Sequence, residues 1–117
     1  EMYDAALKGK YIIGIDHFND LGNSSAHLYL SRVPNITLEQ RNEIINKMAE
    51  KGIATNVHYK PLPMHTAYKA LGFDIKNYPN AYSQFLNEIT LPLHTLLTNE
   101  EIQYVIKSYI MSITEVK

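Results

Sequence analysis

Four side chains capable of chemistry fall within one short stretch, His58, Tyr59, Lys60 and His65. Two imidazoles, a phenol and an ammonium supply donors, acceptors and one fixed positive charge, a set suited to a polar or anionic ligand. A metal site is not indicated, because no carboxylate lies between Lys51 and Phe73 and the chain has no cysteine to complete a first shell. The sequence also lacks a phosphate-cradling glycine loop, a Gly-x-Ser-x-Gly elbow, a His-Glu-x-x-His pair and two carboxylates at useful spacing. Structural roles compete for the same residues. A strand histidine is more often hydrogen-bonded in a core or rim than bound to a ligand, and an isolated lysine is usually solvated. His27 precedes an apolar strand and suits a hydrogen bond to the neighbouring loop, while His94, after Pro92, suits a turn.

The elements that must position the cluster are readable in order. Ile53 to Tyr59 has strand character and ends against Pro61 and Pro63, which have no N–H to donate, so the chain leaves any sheet near Lys60. Upstream, Ala26 to Val33 alternates as a strand and stops at Pro34. Thr37 with Gln40 forms a capping box, and a helix follows with Leu38, Ile45, Met48 and Ala49 on its apolar side and Glu39, Arg41 and Glu43 turned to water. Gly52 supplies its left-handed stop. The order is strand, helix, strand, with the polar cluster at the far end of the second strand. Tyr11 to Ile15 reads as a brief extended piece, and Asp16 to Ser25 as a loop.

Beyond the prolines, Met64 to Leu71 has room for two helical turns. Pro79 opens another helix in which Ala81, Tyr82, Phe85, Leu86 and Ile89 recur at helical spacing. Thr90 to His94 contains Pro92 and can be only an edge strand or a strand end. Thr98 with Glu101 is a second capping box, and Ile102, Val105, Ile106, Tyr109, Ile110 and Ile113 form a stripe that should cover the sheet. The expected fold is α+β, a small, mostly antiparallel three-stranded sheet covered on one side by helices.

Composition narrows the partners. The 117 residues make one domain's worth of chain, and a formal net charge of −1 with scattered signs gives no footprint for nucleic acid or an anionic membrane. No apolar run approaches the roughly 20 residues of a membrane span. The lack of cysteine fits a reducing compartment, so a cytoplasmic protein is expected. Tyr3, Ala5, Ala6 and Leu7 already read as the tail of a helix that stops at Gly9, as if the chain were entered partway.

Several motifs follow one another in a familiar order. They are His27-Leu28-Tyr29, Met48 to Thr55, His58-Tyr59-Lys60-Pro61-Leu62, Tyr68 with Gly72 behind it, and Leu91-Pro92-Leu93-His94 before Leu97-Thr98. This set resembles the C-terminal small domain of the DegT/DnrJ/EryC1/StrS aminotransferases, pyridoxal-phosphate enzymes of the aspartate-aminotransferase fold type. The resemblance implies transfer of an amino group, usually from glutamate, to a keto sugar carried on a nucleotide. It implies that residues 1–9 end the interdomain helix and residues 10–117 form the small domain. The cofactor and its lysine would then lie in a missing N-terminal domain, with the full-length enzyme a homodimer and this portion inactive alone and without bound cofactor. His58, Tyr59, Lys60, His65 and His27 become the substrate-side residues. In the family a histidine follows the Pro-Leu pair, whereas this chain has Pro63 there and His65 two places on. A free-standing binding module or an interaction domain without catalysis is the alternative.

Overall fold

A computed structural model of the chain describes all residues 1–117. Both capping boxes form and set the two long helices. Thr37 Oγ1 accepts from the Gln40 amide at 3.2 Å, Gln40 Oε1 accepts from the Thr37 amide at 2.9 Å, and α2 runs behind them over Leu38–Glu50. Thr98 and Glu101 repeat the exchange at the start of the last helix, Asn99–Val116. Gly52, at φ 73°, takes the left-handed turn that ends α2. Replacing Thr98 by Ala should cost about 1 kcal/mol of stability, visible as a lower denaturant midpoint at unchanged slope.

In chain order the elements are α1 (Met2–Leu7), β1 (Ile13–Gly14), β2 (Phe18–Asn19), β3 (Gly22–Asn23), β4 (Tyr29–Arg32), α2, α3 (Thr66–Ala70), α4 (Pro79–Asn87), β5 (Glu88–Leu91) and α5 (Asn99–Val116). A 3-10 turn over Leu62–Met64 precedes α3, and another spans Ile75–Asn77. The main sheet has three antiparallel strands in the order β1-β4-β5, with Tyr29 opposite Leu91 and Arg32 opposite Glu88. β2 and β3 pair as a separate hairpin inside the stretch expected to be loop, closed by Asn19 Oδ1 accepting the Leu21 and Gly22 amides.

One face of the sheet is buried with α2 and α5. Tyr29, Ser31 and Val33 from the β4 segment join Ile89 and Leu91, Ile44 and Met48 of α2, and Val105, Tyr109 and Ile113 of α5. Ser31 is tolerated there because its hydroxyl lies 2.6 Å from the Ile89 carbonyl and 2.9 Å from the Tyr109 hydroxyl.

Four local expectations are corrected. Ile53 to Tyr59 forms no strand; Asn56 alone bridges to Thr90. The Val57 amide turns onto the Asn56 side chain and the His58 amide onto Glu88, so those donors are withdrawn from any ladder. Ile89 leaves the helical register because α4 passes directly into β5. The inward residue of α2 is Ile44 rather than Ile45, and Ala49 is exposed. Arg41, expected in water, is 4% exposed, its guanidinium 4.8 Å from the Phe85 ring centre.

Candidate functional site

The period of two along β5 puts Glu88 and Thr90 on the same face, away from Ile89 and Leu91. The segment carrying His58 lies along this strand. Asn56 donates to the Thr90 carbonyl at 3.2 Å and accepts from the Thr90 amide at 2.8 Å, satisfying both backbone groups that β4 leaves free. The His58 amide donates to Glu88 Oε2 at 2.9 Å, its Nδ1 lies 2.8 Å from Thr90 Oγ1, and Thr90 Oγ1 donates to Glu88 Oε1. His58 is thus half-buried and held by backbone and ring together.

The peptide bond from His58 to Tyr59 is cis, and the two rings meet edge to face at 4.6 Å. Tyr59 is 73% exposed. Lys60 is also exposed, and its carbonyl lies 3.3 Å from Nε2 of the exposed His65, at the junction of the 3-10 turn and α3. Four of the five expected residues therefore share one rim. His27 does not join them; it is exposed in the coil before β4 and makes no hydrogen bond to the rim. Beside the rim is an apolar groove of about 400 Å³ lined by Pro61, Leu62, Pro63, Tyr68, Phe73 and Tyr78.

Under the rim sits a carboxyl that the sequence did not single out. Glu88 is fully buried, and burial pushes its pKa above the usual range, opposed by the Thr90 hydroxyl, the His58 amide and the positive charge of Arg41. Arg41 is in turn shifted down by burial, with Glu88 acting against that. Glu88 was hidden in a segment read as helix; its only sequence signal is a charged residue two places before Thr90, immediately ahead of the Pro92 strand end.

No lysine of the chain is buried; Lys8 pairs with Asp16 and Lys47 with Glu115. The residues present do not suit a pyridoxal-phosphate pocket. No trio of His, Asp or Glu is grouped to hold a metal, and no helix is long and apolar enough to cross a membrane.

The fold is α+β, of the kind seen in aminotransferases. The chain belongs to the DegT/DnrJ/EryC1/StrS aminotransferase family, whose profile matches residues 1–109. Spr1654 of Streptococcus pneumoniae, provisionally named a sugar aminotransferase, is 50% identical; its apo-form superposes with a TM-score of 0.93 over 98% of this chain and 29% of its own. That protein is also known in a PLP-form, and pyridoxal phosphate goes with the full-length enzymes of the family. Helicobacter pylori PseC, an aminotransferase of pseudoaminic acid biosynthesis, is 26% identical with a TM-score of 0.83 over 97% of this chain and 30% of its own. The UDP-4-amino-4,6-dideoxy-N-acetyl-beta-L-altrosamine transaminase of Campylobacter jejuni serotype O:23/36 is 27% identical over 97% of this chain and 30% of its own. The chain thus spans less than a third of the length of these relatives.

Proposed function

We propose that residues 10–117 are the C-terminal small domain of a pyridoxal-phosphate-dependent aminotransferase that moves an amino group from glutamate to a nucleotide-linked keto sugar. The observation that carries this reading is the 50% identity and TM-score of 0.93 to Spr1654 over 98% of the chain. Residues 1–9 end the helix entering from the cofactor domain, and the full-length enzyme is a cytoplasmic homodimer. In this reading His58, Tyr59, Lys60 and His65 form the sugar-nucleotide side of the pocket. The Tyr59 hydroxyl and the Lys60 ammonium are free for a ligand, and the exposed His65 stands in for the histidine that Pro63 displaces. His27 is the outlying member of the set.

The test uses the full-length protein. Visible absorbance of bound pyridoxal phosphate should fall on adding glutamate and return with the keto sugar nucleotide; no change with any amino donor overturns the reading. Tyr59→Phe should slow the sugar-nucleotide half-reaction about tenfold, the worth of one hydrogen bond, and leave the glutamate half-reaction largely intact. Equal loss in both halves would assign Tyr59 to the fold or to the cofactor.

A further inference from the structure

We propose that Glu88 and Thr90 are positioning residues that hold the His58 ring with its proton on Nδ1, so that Nε2 meets the substrate as a hydrogen-bond acceptor. The proposal rests on the aminotransferase reading for what His58 meets, but not for the state of the ring.

The proton count follows from the geometry. Glu88 Oε2 takes the His58 amide at 2.9 Å, and Oε1 takes the Thr90 hydroxyl. A hydroxyl has one proton, and here it is committed to Glu88. Toward His58 Nδ1, 2.8 Å away, the Thr90 oxygen can then only accept, which requires a proton on Nδ1. With Nδ1 protonated in this way, the neutral ring carries its lone pair on Nε2, the nitrogen turned away from Thr90. The carboxylate is bonded to His58 and Thr90 and lies within the electrostatic reach of Arg41 from α2 and Tyr109 from α5. The cation of Arg41 and two donated hydrogen bonds favour the ionised acid that the relay needs, against the cost of burial.

An acceptor at Nε2 selects by chemistry. It takes a hydrogen bond from a sugar hydroxyl and gives nothing to a phosphate oxygen, which is left to the Lys60 ammonium. His58 would therefore read the sugar, and its state would be set from beneath by two residues that touch no substrate.

The isosteric variant Glu88→Gln discriminates. Its carbonyl must still accept the His58 amide, so its NH2 faces Thr90 and donates. The Thr90 proton is released toward Nδ1, and the ring proton moves to Nε2. Solid-state nitrogen NMR of full-length protein labelled in its imidazoles, with His58 assigned by its loss in His58→Asn, reads the tautomer directly. The expected result is a protonated Nδ1 in the unaltered protein, exchanged for a protonated Nε2 in Glu88→Gln. Thr90→Ser should keep the Nδ1 proton, and Thr90→Val should lose the single-tautomer signature. A protonated Nε2 in the unaltered protein, or no change in either Glu88→Gln or Thr90→Val, overturns the relay; the Thr90 pair decides if Glu88→Gln does not fold. The readout needs no turnover. A failed relay beside a working sugar half-reaction leaves the aminotransferase reading intact, and the relay with no response to any amino donor does the reverse.

Discussion

Alkali should destabilise this protein steeply from about pH 10, one fully buried tyrosine alone removing about 1.4 kcal/mol of stability per pH unit. Three tyrosines carry the effect. Burial raises the Tyr3 pKa from 10.0 to about 12. Tyr29 is raised further by burial and by its hydrogen bond to Asp4, and burial also raises Tyr109, opposed by the bond to Ser31 and aided by the Glu88 charge. The three rings are at most 4% exposed, but the Tyr3 and Tyr29 hydroxyls are only part-buried, so solvent screening reduces their share and the fully buried Tyr109 carries the largest. In the unfolded chain they ionise near pH 10, whereas in the folded one each keeps its proton, Tyr3 for the Pro92 carbonyl at 2.8 Å and Tyr29 for Asp4 Oδ1 at 2.8 Å. Their stabilising contribution is complete below pH 10 and falls as pH rises, Tyr3's loss levelling off near pH 12 and the other two continuing. Tyr109 contributes about 1.4 kcal/mol per pH unit, and the part-buried Tyr3 and Tyr29 hydroxyls contribute less. Denaturant unfolding at successive pH values checks this. Tyr109→Phe should remove the largest single share of the slope, and an unaltered slope would show that Tyr109 ionises equally in both states.

The second large effect separates two neighbours. Ile44→Ala should cost about 2–5 kcal/mol, as expected for emptying a packed core position, because Ile44 is fully buried. Ile45→Ala should cost clearly less, since Ile45 is only partly buried against the same cluster. Equal losses in denaturant unfolding would mean that α2 is rotated by a residue from the register described here.

That register shows where the sequence was legible. Both long helices were readable because a capping box is local: Thr37 and Gln40, or Thr98 and Glu101, are three residues apart and need nothing else. Of the inward stripe of α2, Arg41-Ile44-Met48, Met48 was readable but Arg41 and Ile44 were not, because a charged residue at its head suggested solvent. Arg41 lies inside because its long stem packs and its guanidinium covers an aromatic face, a behaviour that residue type alone does not announce. The rim was half legible. Tyr59, Lys60 and His65 could be located from the two prolines, but the strand drawn through Ile53 to Tyr59 could not survive. Its His58 amide chooses a carboxylate 30 residues away, and only the fold brings the two together.

Thr90 has a consequence in time as well as in space. Its backbone amide and carbonyl are held by Asn56, and its hydroxyl oxygen meets His58 while donating to Glu88, so one residue grips the rim segment through both backbone and side chain. The segment cannot lift from β5 without breaking both attachments together. Solvent exchange at a single amide, that of Thr90, should therefore time the whole site: it proceeds only during the intervals in which the histidine has lost its orientation, and its rate measures how often they occur.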